Sequence, residues 1–389
     1  MKLIILATLF LGACGLTPES EAQMWIQTSA PNQHWQCIAS SADGSKLVAV
    51  ADNNNGNIGV IYTSTNSGTT WTSNNAPNAT WNCVASSADG THLAATVYLG
   101  GIYTSTNAGG NWTQSSAITS SWYAIASSAD GSQLFAGGSS VYVSTNSGTT
   151  WTLSSAPFNQ CCSIACSANG SNLVAGTRYS GNVYISTNSG GTWKLGTNIG
   201  LNPAYWASVA SSADGTKFLA MGQSVYLSSD AGATWTSPNS LPQGTNAAWV
   251  ASSADGSHLA LSVGSADAQF IGVYISTNSG ASWYSTGPIP NGVEAFSANG
   301  GELLSCVYKG GIWTIQLPVT PSISLLKAVQ PDFSNLYSGT NYQLQVSHDL
   351  NTWTNQGAPF TATNYAMPYP QYFNVADWNQ LYFRLQVAP

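Results

Sequence analysis

The sequence predicts an all-β fold: a seven-bladed β-propeller of four-stranded blades, closed by the N-terminal strand, with a small β module behind it. Three observations carry the prediction. A Ser-Ala-Asp-Gly turn recurs in seven copies about 40–45 residues apart, the period of a four-stranded blade. A second signature, Ser-Thr-Asn-Ser-Gly-Thr-Thr-Trp in its first copy, follows each of six turns by about twenty residues. Between the two landmarks apolar and polar residues alternate with period two, as in half-buried strands.

The elements follow in chain order. Met1-Lys2 precedes an apolar run, Leu3 to Leu11, too short to span a bilayer as a helix of about 20 residues. The run ends in Leu11-Gly12-Ala13-Cys14, which resembles the lipobox of bacterial lipoproteins. The resemblance implies cleavage before Cys14 and a lipid on its thiol. The alternative is an ordinary signal peptide cut after Ala22. Either way residues 1–23 read as signal peptide and tether of an exported protein: an outer-membrane or cell-surface lipoprotein, or a secreted one.

The turn landmark stands at Ser41 to Gly44, Ser87 to Gly90, Ser128 to Gly131, Ser212 to Gly215 and Ser253 to Gly256. Asn replaces Asp at Asn169 and Asn299 in the other two copies. The second landmark places Asn66, Asn107, Asn146, Asn188, Asp230 and Asn278 five residues before Trp71, Trp112, Trp151, Trp193, Trp235 and Trp283. This frame resembles the Asp-box, the bacterial neuraminidase repeat, with Asn in five of six boxes accepting the same turn hydrogen bonds. In the first unit the strands are A at Trp35 to Ser40, B at Lys46 to Ala51, C at Val60 to Ser64 and D at Thr70 to Ser73. The box Trp is the expected apolar filler between blades. The seventh unit lacks a box, whereas Met24-Trp25-Ile26-Gln27-Thr28 reads as a strand D without a unit. The N-terminal strand is therefore expected to complete the last blade and close the propeller over residues 24–318. In residues 319–389 the repeat stops, and strand-like runs at Tyr342 to Ser347, Tyr372 to Val375 and Leu381 to Val387 suggest a small sandwich-like module.

Composition limits the function. Only 6% of residues are charged, and the net charge is −7. Eight Lys and Arg cannot form the basic stripe that nucleic acid requires. Strand order puts the A–B and C–D turns on one face and the D–A and B–C loops on the other, where function is expected. There Trp35, Trp81, Trp122 and Trp206 recur at the start of strand A, with Trp249 near the equivalent place in the sixth unit. Two readings stay open: inter-blade packing, or a partial aromatic ring that stacks a ligand. Asp52, Asp267 and Glu294 fall in units one, six and seven, neighbours once the ring closes. They can be solvated carboxylates, a Ca²⁺ site, or the acid and base of a glycoside hydrolase or polysaccharide lyase. The resemblance to sialidases implies an Arg triad, but Arg178 is the only Arg of the propeller region, which argues against that activity. Photosystem II assembly factor propellers also resemble this architecture, and they imply protein binding through an Arg-rich patch that this chain lacks. No CxxC spacing occurs among the cysteines, so no zinc or other cofactor is expected. The leading expectation is a monomeric, non-catalytic binding propeller for a glycan or protein ligand, touching a membrane only through its lipid. Polysaccharide cleavage and an envelope assembly scaffold are the alternatives.

Overall fold

The computed structural model describes residues 25–52, 59–178, 182–196, 208–222, 224–238, 245–265, 270–286, 292–298 and 300–317. Towards the C-terminus it describes 328–329, 332–333, 338–347, 351–355, 359–363, 367–368, 373–374 and 382–388. Cys14, Trp206 and Asp267 lie outside the described residues.

Residues 20–319 form one compact unit, a β-propeller built of antiparallel sheets. In the first repeat, strands A (Gln33–Ser40), B (Leu47–Asp52), C (Val60–Ser64) and D (Thr72–Ser73) pair in chain order. Strand A begins earlier than the sequence pattern predicts because Gln33 and His34 pair across to Gly310 and Tyr308 of the last repeat. Strand D is shorter because the Thr70 N–H donates to the Asn66 side chain (2.9 Å) instead of to a strand. Four later repeats keep the same order, in 81–114, 124–153, 161–195 and 245–285. In the fifth, the place of strand D holds a single bridge, Leu227 to Thr236. The last repeat supplies Gly292–Phe296, Glu302–Gly310 and Ile312–Gln316, and Ile26–Gln27 pairs with its third strand, Ile26 opposite Thr314. The N-terminal strand thus completes the last sheet.

The apolar interior is divided among the blades. Each cluster of buried side chains lies between two neighbouring sheets. Val48, Val50 and Ile61 of the first repeat meet Trp81, Val84 and Leu93 of the second. At the closure, Leu304, Cys306 and Ile312 of the last meet Trp35, Ile38 and Ala49 of the first. Strand B is packed on both faces, so Leu47 to Ala51 are all buried and the half-buried alternation expected there is absent. Trp25 takes the expected place of a box Trp. It packs on the cluster of Leu303 and Ile315, and its indole donates to Thr286 Oγ1 of the preceding blade (2.9 Å). Trp151 and Trp193 donate in the same way to Ser115 and Ser154.

Both landmarks are side-chain-capped turns. Ser41 Oγ donates to Asp43 Oδ1 (2.6 Å) and accepts the Lys46 N–H (3.0 Å), while Gly44 takes φ 76°. In the second turn Asn66 Oδ1 accepts from Ser64 Oγ and from the Thr70 N–H, both at 2.9 Å. Asn and Asp interchange there because the Thr hydroxyl reverses its role. Thr70 Oγ1 accepts from Asn66 Nδ2 (2.9 Å), whereas Thr234 Oγ1 donates to Asp230 Oδ2 (2.6 Å). The Ser67 N–H donates to Ser45 O (2.9 Å), tying the two turns to one face.

On that face the repeats join. The N–H of Ala42 donates to the carbonyl of Ala88, and the series continues through Ala129, Ala168, Ala213, Ala254 and Ala298 back to Ala42, at 2.6–2.8 Å. It is a closed seven-membered ring of backbone hydrogen bonds.

The second compact unit includes residues 320–389. Its central strand, Asn341–Ser347, pairs along its length with Tyr382–Val387, and also with Thr354–Asn355 and Phe360–Thr361. Tyr342 and Ala362 are buried against Phe360 and Leu385.

The turn aspartates set an acid limit. Hydrogen bonds from Ser41 and from the Ser45 N–H and hydroxyl hold Asp43 at about 2, and the corresponding partners hold Asp130 at about 2. Asp89 and Asp214 lie below the ordinary range for the same reason. Burial pushes Asp255 upward, but bonds from Ser253 and Ser257 outweigh it and leave it at about 2. These depressed values stabilise the fold above the unfolded carboxylate pKa of about 3.9, and the contribution is lost as pH falls through about 2. The thermal midpoint should be flat from neutral pH to about 5 and fall steeply between about 4 and 2. Replacing these five aspartates by Asn, the residue at 169, should flatten the fall in a pH series of melts.

Candidate functional site

The strand-A tryptophans correct one expectation. Trp35, Trp81 and Trp122 are 2%, 1% and 0% exposed, and none offers a face to a ligand. Each lies edge-on to a strand-C tyrosine of its own blade, Tyr62, Tyr103 or Tyr142, at 5.3–5.5 Å between ring centres. Trp35 and Trp81 also tilt against the box residues Trp71 and Trp112. Trp122 Nε1 donates to Gly100 O of the preceding blade (3.1 Å). These three are inter-blade packing, because the space at the start of strand A is walled by the sheet before it. In the fourth repeat, where Cys161 stands in place of Trp, Phe158 fills the volume. It stacks on Tyr184 (4.4 Å) and lies edge-on to Trp193 (5.4 Å). Trp249 differs: it is 36% exposed and in register with Cys37 and Cys83, opposite Ser262.

The exposed aromatics on the loop face are others. Tyr98 (43% exposed) in the B–C turn of the second repeat lies 6.2 Å from Tyr123, which precedes strand A of the third. The Arg178 guanidinium of the fourth repeat sits 5.8 Å from the Tyr123 ring centre. Tyr98, Tyr123 and Arg178 therefore form a continuous platform across three blades. Leu99 at the tip of the turn is 63% exposed and held at φ 55°, a left-handed conformation unfavourable for a bulky residue. The Gly100 N–H donates to Val97 O and the Tyr98 N–H to Thr80 O, which fix the turn that displays it. Ile118, 50% exposed, lies on the loop from the second blade to the third. A second segment repeats the turn's sequence: Val97-Tyr98-Leu99-Gly100-Gly101 recurs as Val307-Tyr308-Lys309-Gly310-Gly311, and Lys309 takes φ 59°.

The carboxylates divide. Asp52 Oδ1 stands 3.7 Å from His34 Nδ1, its cross-strand partner. The Glu294 backbone pairs with Ser305, a register position where Ile38, Val84 and Ile125 are buried in other blades. Its side chain, like all of Asp267, lies outside the described residues. Among the described residues no group of three His, Cys, Asp or Glu side chains comes together. Glu302, buried at the start of strand B, accepts from Thr314 Oγ1 (2.8 Å). A concavity of about 430 Å³ between the fifth and sixth repeats opens on the turn face, where the single bridge replaces strand D. The Lys217 ammonium on its wall donates to Asp255 O (2.7 Å).

No protein-family model and no curated protein matches the sequence. Solved structures do. YCF48 bound to D1 peptide aligns with a TM-score of 0.57 at 13% identity over 76% of this chain and 97% of that one. YCF48 from Cyanidioschyzon merolae gives 0.57 and 13% over 75% and 98%. The Cps50 (Swd1) β-propeller domain of Myceliophteria thermophila gives 0.57 and 13% over 75% and 99%. At this identity the likeness establishes the propeller fold.

Packing and platform aromatics should separate on mutation. Trp122→Ala should cost about 3–5 kcal/mol in denaturant unfolding, the range for emptying a buried Trp site. Tyr98→Ala should change stability by less than about 0.5 kcal/mol, as for an exposed side chain.

Proposed function

We propose that the protein is a non-catalytic binding propeller whose loop face takes a segment of a protein partner on the Tyr98–Tyr123–Arg178 platform. The observation that carries this reading is the cross-blade contact of exposed Tyr98 with Tyr123, whose ring the Arg178 guanidinium faces, with Leu99 and Ile118 exposed on the same loop face. Exposed apolar side chains grouped with aromatics are common at interaction sites, and aromatic and Arg anchors dominate protein interfaces. The strained Leu99 turn supports it, since strain is retained where the displayed side chain has a task. One structural neighbour, YCF48, was solved bound to D1 peptide, which makes a peptide ligand reasonable for this fold. The face fits a partner segment with an apolar residue and a carboxylate, which Arg178 would pair.

A glycan ligand is the second reading. It rests on the paired Tyr98 and Tyr123 rings, whose faces suit sugars, with Ser120 and Ser139 hydroxyls 3.3 Å apart nearby. The Asn-Gly-Trp hairpins resemble Asp-boxes, but their side chains serve the turns. In this proposal the chain is exported and a lipid on Cys14 tethers it to a membrane surface.

The full-length protein should capture a partner from envelope extracts. Tyr123→Ala and Arg178→Gln should each weaken capture at least tenfold while melting within a few degrees of wild type. Binding on a glycan array with blank extracts would favour the sugar reading. Unchanged capture by both variants would remove the platform from the account. Cys14→Ser should move the protein from the membrane fraction to the soluble one.

A further inference from the structure

Two thiols meet on the inner wall of the propeller. The seven A strands neighbour one another in a closed circle. On the first two of them Cys37, opposite Val50, and Cys83, opposite Thr96, hold the same register position. Their Sγ atoms are 3.3 Å apart. Each stands where the strand is bulged, between Trp35 and Cys37 and between Trp81 and Cys83, which turns these side chains towards the neighbouring blade. The contact is specific to this junction. The same position holds Ala124, Ser163, Ser208 and Trp249 in later repeats, opposite Gly137, Gly176, Met221 and Ser262. There the fourth blade reaches the fifth with a hydroxyl, Ser163 Oγ accepting the Val209 N–H at 3.0 Å. Other thiols bond to backbone carbonyls: Cys166 to Ser127 O (3.1 Å), Cys162 to Gly176 O and Cys161 to Ser163 O (both 3.4 Å).

We propose that Cys37 and Cys83 are a disulfide-forming pair that staples the first blade to the second when the chain meets a small-molecule or protein disulfide. A disulfide bond measures about 2.04 Å, so closing it requires each sulfur to move roughly 0.6 Å, within reach of side-chain rotation. Half-buried Cys83 is the attacking group, and buried Cys37 resolves. A thiol hydrogen bond joins the pair; it holds Cys83 below the ordinary thiol range and, together with burial, Cys37 above it. Cys83 thiolate attacks one sulfur of the external disulfide and expels the first thiolate. Cys37 then gives up its proton, attacks the Cys83 sulfur and expels the second. Two protein thiols lose two hydrogens, and the external disulfide is reduced to two thiols. The bond closes a 46-residue separation that spans one inter-blade junction. The first blade is already bonded to the last through Gln33 and His34. The staple fastens its other side, beside the place where the ring closes.

The test uses the full chain and oxidised glutathione. After incubation, denaturation and alkylation without reductant, two fewer thiols should react, and a proteolytic peptide pair joining Cys37 to Cys83 should appear, about 2 Da lighter than its two thiol forms. Reductant should lower the thermal midpoint of the oxidised protein by roughly 5–10 °C. Cys37→Ala/Cys83→Ala introduces the residue found at 124, and its midpoint should not respond to reductant. Alkylation of both cysteines as separate thiols after oxidised glutathione would overturn the proposal. So would an equal response of wild type and double variant to reductant. If the double variant does not fold, the peptide map decides alone.

Discussion

Everything in the propeller depends on the closed ring of amide-to-carbonyl bonds that runs from Ala42 through the other turns to Ala298 and back. Each member both donates and accepts, so no turn can leave its geometry without stranding two backbone groups. That constraint explains the repetition of Ser-Ala-Asp-Gly. The Ser is at most 2% exposed in every copy, because its hydroxyl must accept the strand-B amide while it holds the Asp or Asn side chain. Gly takes the left-handed conformation that returns the chain to strand B, as at Gly44 with φ 76°. With one face fixed in this way, the opposite face is free to vary. Packing between adjacent sheets supplies the rest, one apolar cluster to each junction.

The low charge follows from the same division. Five aspartates serve the A–B turns, and Asp230 serves a C–D turn. Lys46 and Lys217 are spent reaching the carbonyl of the next turn, at Asp89 and Asp255. Arg178 stands over the half-buried Tyr123 ring on the variable face.

Much of the fold was legible in the sequence because repetition carries it. The turn residues, the box residues and the displaced strand at Trp25 each have a local chemical reason, and each appears where its spacing puts it. The site was less legible. Trp35, Trp81 and Trp122 share one sequence position at the mouth of the blades, and sequence alone does not tell a side chain pointing into the mouth from one wedged behind it. Contact with Tyr62, Tyr103 and Tyr142, which recur with the same period, decides for packing. Tyr98, Tyr123 and Arg178 were hidden for the opposite reason: they come from three blades and share no repeat position. The thiol pair was half visible, since Cys37 and Cys83 fall in one register, but only the closeness of the adjacent A strands brings them to 3.3 Å.

The most direct measurement is native-state hydrogen exchange resolved to the amides of Ala42, Ala88, Ala129, Ala168, Ala213, Ala254 and Ala298. If the ring is the constraint that holds the blades together, these seven amides exchange together. They should do so only through global unfolding, with one shared denaturant dependence. Exchange at individual members of the ring at widely different rates, through local openings of single turns, would contradict the account.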